Sequence, residues 1–139
     1  MRKEQSREVG DLSNAAIARE VWMAVANSEA DKIRGMLAPD IVWRTHASGA
    51  LTGEVRGPDR VIDLFARSGE LVDDLASSLI DIYESERGAV LLYRVQASRG
   101  LTSIDTLIVL VMSVEGGLIS EVFTVPVDPE SAHHFWLSN

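Results

Sequence analysis

The sequence contains no cysteine among its 139 residues. This absence excludes disulfide bonds, thiolate metal ligands and cysteine nucleophiles. Basic residues are also few, because 13 Lys and Arg stand against 21 Asp and Glu and leave a formal net charge of -8. Nucleic acids and anionic membranes are bound by clustered cations, so we expect neither as a partner.

Long apolar segments are missing as well. The longest apolar run, residues 107–112, is far shorter than the roughly 18 residues of a membrane span. Residues 1–10 are polar and charged, and they lack the apolar stretch of a secretory signal. We therefore expect a cytoplasmic protein.

The three histidines do not form a metal-binding pattern. His133 and His134 are adjacent, His46 is distant, and no His-x-x-x-His spacing occurs. Glycine-rich phosphate loops and nucleotide fingerprints are also absent from the sequence. We expect neither a metal nor a cofactor. His46 could be a base at a pocket rim, but strand alternation favours an outward-facing side chain.

Length and composition indicate a single domain. A chain of 139 residues with 46% hydrophobic residues can build one sizeable core. Residues 1–12 are charged and lack apolar periodicity, so they are predicted to form a flexible tail. Residues 13–139 are predicted to form the domain.

Three helices are predicted in the first half of the chain. The first follows Ser13, a suitable N-cap, and shows apolar residues at helical spacing. The second, short helix covers about residues 33–37 and ends before Pro39. The third begins at Pro58 and is predicted to end at the Ser-Gly pair of residues 68–69.

The remaining sequence is typical of a sheet. A first strand at 40–46, rich in β-branched and aromatic residues, is followed by a predicted loop at 47–57. After the third helix come four strands joined by short turns, at 79–83, 90–97, 104–114 and 118–125. Such turns predict an antiparallel meander with the helices covering one face.

Several local motifs support a family resemblance over residues 13–137. They are Trp43-Arg44-Thr45-His46-Ala47, Gly53-Glu54-Val55-Arg56-Gly57, a glycine turn leading to Ile119-Ser120-Glu121-Val122-Phe123, and a closing Asp128 with His134-Phe135-Trp136. In this order they resemble the SnoaL-like branch of the nuclear transport factor two-like superfamily, which includes ketosteroid isomerase. The resemblance implies a cone-shaped α+β barrel, in which three N-terminal helices pack on a curved, mostly antiparallel sheet around a deep pocket.

The chain departs from ketosteroid isomerase at positions that matter for catalysis. Thr45 lies where that enzyme has its catalytic aspartate, and Leu110 lies where it has its oxyanion-stabilising acid. Trp22 falls near its catalytic tyrosine, but an indole can donate a hydrogen bond without exchanging a proton. Steroid isomerisation is therefore not expected.

Asp105 is the main candidate acid or base. It interrupts an apolar strand, where loss of hydration would raise its pKa toward a useful range. Many chains that resemble this one have an Asp at this position. The alternative is a structural acid at a strand end, paired with an arginine such as Arg99. Simple alternation places the side chains of Asp105 and Leu110 on opposite faces of the strand unless a bulge intervenes.

Two further carboxylates are candidates. Asp40 is either a turn residue or the partner of Asp105 in a pair with one protonated and one ionised acid. Glu121 lies between Ile119 and Phe123 on one strand parity and is predicted to point inward. There it would either orient a substrate hydroxyl or make a buried structural hydrogen bond.

The predicted pocket takes its shape from large side chains, with core packing as the alternative role for each. Its candidate residues are Trp22, Trp43, Thr45, Tyr93, Met112 and Phe123. The leading hypothesis is a cofactor-independent cyclase or isomerase of natural-product biosynthesis, of the polyketide-cyclase or epoxide-hydrolase type, acting on a small apolar or polyketide-type substrate. Epoxide opening to a cyclic ether is one form of the reaction, and aldol-type ring closure is another. The alternative is a non-catalytic domain that binds a small molecule.

We also predict a homodimer through the outer face of the sheet, because residues 107–111 are apolar on both parities.

Overall fold

The computed structural model describes residues 12–45 and 53–137, where four helices pack on one six-stranded sheet. The predicted tail, apart from Leu12, and His46 lie outside the described residues. The helices are α1 (Asn14–Ala26), α2 (Ala30–Met36), α3 (Pro58–Glu70) and α4 (Pro129–Leu137). The strands are β1 (Leu37–Thr45), β2 (Gly53–Arg56), β3 (Asp74–Glu84), β4 (Gly88–Arg99), β5 (Thr102–Glu115) and β6 (Leu118–Pro126).

The sheet has the strand order β2-β1-β6-β5-β4-β3. The predicted meander is present as β3 to β6, and all its neighbours are antiparallel. β1 adds to this meander in parallel beside β6, and β2 pairs antiparallel with β1. The α+β class and the mostly antiparallel sheet are thus confirmed. β2 and β3 are the two edges, so the sheet is open rather than a closed barrel.

Helix α1 supplies much of the core. Its start is fixed by Ser13, whose Oγ accepts a hydrogen bond from the Ala16 N–H at 3.1 Å. Ile17 and Val21 lie on its buried face, and they pack with residues of the sheet such as Leu91 and Ile119. Helical spacing of apolar residues therefore places α1 against the inner face of the sheet.

The structure changes two predicted boundaries. Part of the predicted loop forms strand β2, whose residues pair with β1 despite the glycine at its start. Helix α3 continues through the Ser-Gly pair to Glu70. The Ser68 hydroxyl donates to the Leu64 carbonyl at 2.9 Å, which satisfies this polar side chain within the helix.

Helix α4 was not among the predicted elements. It begins at Pro129, and the carboxylate of Asp128 accepts hydrogen bonds from the N–H and hydroxyl of Ser131 at 3.3 and 2.7 Å. This is an N-cap arrangement followed by proline at the first helical position. Phe135, only 1% exposed, anchors α4 against Ile104 in a small second core cluster.

None of the helices in the described ranges combines the length and the apolar character that crossing a bilayer requires.

Candidate functional site

A cavity of about 670 Å³ lies between the helices and the inner face of the sheet. Side chains alternate between the two faces of a strand, so every second residue of β4 and β5 borders it. The β4 contributors are Leu91, Tyr93 and Val95, and those of β5 are Ile104, Thr106, Ile108, Leu110 and Met112. The sheet side of the cavity is thus mostly aliphatic.

Two aromatic pairs join the helices to the sheet at the cavity wall. Trp22 on α1 packs on Tyr93, with ring centroids 4.8 Å apart and planes tilted by 53°. Trp43 on β1 meets Phe65 on α3 edge to face at 5.0 Å. Such pairs fix the positions of four large rings around the cavity.

The described wall carries no Asp, Glu, His, Lys or Arg. Tyr93 is its single ionisable residue, and burial raises the pKa of its phenol. The phenol therefore stays neutral at physiological pH and can donate a hydrogen bond. The other polar wall groups include serine hydroxyls and those of Thr45, Thr106 and Thr124. The described part of the cavity can make neutral hydrogen bonds but no ion pairs.

The structure places five of the six predicted pocket residues on this wall: Trp22, Trp43, Thr45, Tyr93 and Met112. Phe123 is instead 38% exposed and pairs with Val111, which is 40% exposed, outside the cavity. Contact of any of them with a substrate stays a prediction.

A β-bulge explains why Phe123 and Glu121 do not face inward. Ser113 pairs with Glu121 while the next residue, Val114, pairs with Ile119, so Ser120 is an extra residue in β6. Because of the bulge, inward-facing residues are odd-numbered before Ser120 and even-numbered after it, and Ile119 and Val122 are both fully buried. The predicted inward orientation of Glu121 is therefore wrong. Its carboxylate is exposed and pairs with Arg44.

Arg44 also links Glu121 to a neighbouring ion pair on the same outer face. Its Nε lies 3.1 Å from Oε1 of Glu54, whose other oxygen lies 2.7 Å from Nη2 of Arg56. The hydrogen bond from Arg56 lowers the pKa of Glu54. Asp40 is also exposed, on β1 after Pro39, and it does not line the cavity.

Asp105 lies on the outer face of β5. Register between β4 and β5 is continuous from Asp105 to Leu110, so the two side chains point to opposite faces. Arg94 forms a bidentate pair with the carboxylate, Nε to Oδ1 at 2.7 Å and Nη2 to Oδ2 at 2.5 Å. This hydrogen bonding lowers the pKa of Asp105, so the expected increase is wrong, and the ion-pair partner is Arg94 rather than Arg99. A catalytic role for Asp105 stays a prediction.

A second, open depression of about 400 Å³ lies between β5 and α4. Asp105, Glu130 and His134 border it. Within the described ranges, no group of three or more His, Cys, Asp or Glu is arranged to hold a metal ion. None of the three predicted carboxylates, Asp105, Asp40 and Glu121, borders the main cavity, so they do not converge there.

Several wall residues were not identified from the sequence. Phe65, Ile108, Thr106 and Thr124 all border the cavity. Alternation along β5 predicts two of them, since Thr106 and Ile108 lie on the same face of the strand as Leu110 and Met112. The face of Thr124 could not be predicted by counting alternate residues from Ile119, because the bulge at Ser120 lies between them.

Comparisons with known proteins agree with this architecture. The family model described as a SnoaL-like domain matches residues 18–122. An uncharacterised protein of Mycobacterium tuberculosis is 26% identical over 128 residues, covering 91% of this chain and 98% of its own.

Two solved structures show the same fold. An NTF2-like protein from Burkholderia thailandensis has a TM-score of 0.82 at 18% identity, covering 92% of this chain and 99% of its own. An LEH-like epoxide hydrolase of M. tuberculosis has a TM-score of 0.65 at 16% identity, covering 86% of this chain and 85% of its own. At these identities the similarity concerns the fold alone.

Proposed function

The chain belongs to the SnoaL-like domain family, and we propose that it binds a small, neutral and largely apolar molecule in the cavity between its helices and its sheet. The fold is shared by binding proteins and by enzymes, so fold alone does not decide between them. The chemistry of the cavity wall favours binding.

The observation that carries the proposal is the absence of charged side chains from the described wall. A ligand that brings a carboxylate or an ammonium group into this cavity would lose hydration without gaining an ion pair. An apolar ligand instead gains free energy as it leaves water, and the aromatic rings of Trp22 and Trp43 offer it a large contact surface.

A cavity-filling substitution tests the proposal. Ile108→Phe places a larger side chain in the cavity, whereas Ile80→Phe makes the same substitution at an exposed residue of β3 that does not border the cavity. Calorimetric titration with tetralin, a neutral two-ring hydrocarbon, should show binding to the parent protein and to Ile80→Phe. Binding to Ile108→Phe should be strongly weakened. Equal affinity for all three proteins would contradict the assigned site.

The second candidate function is a cofactor-independent cyclase or isomerase of the polyketide-cyclase or epoxide-hydrolase type. Family membership and the structural similarity to an epoxide hydrolase favour it. Asp105 would be its main acid or base, with Asp40 or Glu121 as a second acid. This hypothesis requires a carboxylate to reach the bound molecule. Asp105 could do so only if its pair with Arg94 opened and the pairing of β5 changed so that the side chain turned to the inner face.

An epoxide assay separates binding from the epoxide-opening form of the second function. The probe is 1,2-epoxy-1,2,3,4-tetrahydronaphthalene, and the product is the diol formed when water adds across the epoxide. Catalysis by Asp105 predicts enzyme-dependent diol formation that falls by about 10²–10⁴ in Asp105→Asn. Saturable binding without diol formation above the rate in buffer supports the binding function.

We propose a second copy of the chain as the protein partner. Val111 and Phe123 pair across β5 and β6 on the outer face and are 40% and 38% exposed. Val109 and Val125 form the next pair on the same face. Burying these apolar side chains against their symmetry equivalents would remove them from water.

A further inference from the structure

The hydroxyl of Thr124 stands out in the cavity wall because it has no hydrogen-bond partner among the described residues. Its Oγ1 is closed to solvent, and no residue that the structure describes bonds to it. Burying a hydroxyl in this way costs its hydration, and native proteins rarely leave such a group unsatisfied. Valine would fill nearly the same volume without this cost. Packing alone therefore does not explain a threonine here.

A second threonine lies beside it. Thr45 on β1 and Thr124 on β6 are register partners in the parallel ladder, and both border the cavity. Neighbouring strands are roughly 4.8 Å apart, so the two side chains rise from adjacent positions on the inner face. On its other side Thr124 pairs with Leu110, which is apolar. The two threonines thus lie side by side in a mostly apolar wall.

We propose that Thr45 and Thr124 are the polar anchor of the cavity and bind a neutral hydroxyl or carbonyl oxygen of the ligand. The inference rests on the proposed binding function and adds which group of the ligand is recognised and where. A threonine hydroxyl donates to a carbonyl, and it can both donate to and accept from a hydroxyl. Rotation of Thr124 by about 120° about Cα–Cβ moves Oγ1 to another staggered position, and binding requires the position that faces the cavity.

Three probes with one carbon skeleton test this anchor. They are 1-tetralone with a carbonyl, 1-tetralol with a hydroxyl, and tetralin with neither. Calorimetric titrations would compare the parent protein with Thr124→Val and Thr45→Val. Thr106→Val is the matched control, because Thr106 also borders the cavity but lies on β5 opposite Val95.

Each anchor variant should bind 1-tetralone and 1-tetralol about three- to tenfold more weakly, as expected for one lost hydrogen bond. Tetralin affinity should be unchanged in all variants, which also shows that they remain folded. Thr106→Val should keep the parent protein's ratio of affinities for the oxygenated probes and for tetralin. Ligand-free Thr124→Val should be at least as thermally stable as the parent, because it no longer buries an unpaired hydroxyl.

Two outcomes would overturn the anchor. Suppose that Thr124→Val and Thr45→Val leave the ratio of the affinities for the oxygenated probes and for tetralin unchanged while tetralin still binds. The anchor is then wrong and the proposed function stands. If none of the three probes binds to the parent protein, the binding function fails and the anchor fails with it.

Discussion

Tyr93 gives a sharp test of the cavity, because the chain has only two tyrosines and they occupy opposite environments. Burial raises the pKa of Tyr93, which borders the cavity. Tyr83 is 54% exposed, and the nearby carboxylate of Asp81 is the main cause that raises its pKa. As pH increases above about 10, we expect Tyr83 to ionise while Tyr93 stays neutral.

The shift of Tyr93 also predicts how stability depends on pH. Because its pKa is higher in the folded chain than in the unfolded chain, its contribution is fully present below about pH 10. Above that pH the unfolded chain releases the proton and the folded chain keeps it. The free energy of unfolding should then fall by about 1.4 kcal/mol per pH unit from this group alone.

Tyrosinate absorbance, followed together with circular dichroism, measures this directly. The folded parent protein should ionise one tyrosine, and the second should ionise only as the chain unfolds. Tyr83→Phe should remove the first step, whereas Tyr93→Phe should keep it and should weaken the alkaline loss of stability in urea titrations. Ionisation of both tyrosines in a fully folded protein would refute the burial of the Tyr93 phenol.

Other consequences can be checked separately. Gly88→Ala should destabilise the protein by about 1–3 kcal/mol in urea unfolding, because an added Cβ would lie 1.9 Å from the Met112 carbonyl oxygen; an unchanged midpoint would contradict this close approach. Val111→Lys should convert a homodimer into the 15.2 kDa monomer in sedimentation, because it places a charge in the proposed apolar interface. A parent protein that already sediments as a monomer would rule out the dimer. Asp105→Asn should leave calorimetric binding of 1-tetralone unchanged, since this carboxylate pairs with Arg94 on the outer face. A clear loss of affinity would show that the carboxylate reaches the ligand.

Much of the fold followed from local patterns in the sequence. The spacing of Ile17 and Val21 predicted α1, and the β-branched runs with glycine turns predicted the meander. Strand β2 was missed because its four residues begin with Gly53 and gain their hydrogen bonds only by pairing with β1. For α4, the local signal of a helix start is Asp128 followed by Pro129, but the apolar residues after it are too few to establish a helical spacing.

The candidate site depended on which face each strand residue occupies. On β5, alternation correctly indicated that Asp105 and Leu110 point to opposite faces, because no bulge interrupts that strand between them. On β6, the extra residue Ser120 reversed the faces of Glu121 and Phe123, and a bulge of this kind is set by pairing with the neighbouring strand. The ion pairs of Asp105 with Arg94 and of Glu121 with Arg44 are likewise contacts between strands, which local sequence patterns do not reveal.

The central claim is that the cavity accepts neutral apolar molecules and rejects charged ones. The most direct measurement compares the affinities of 1-tetralone and of 5,6,7,8-tetrahydro-2-naphthoate, which share a two-ring frame, in one calorimetric series at neutral pH. We expect saturable binding of the ketone and much weaker binding of the carboxylate, because the described wall offers the carboxylate no cation. Equal or tighter binding of the carboxylate would contradict this selectivity.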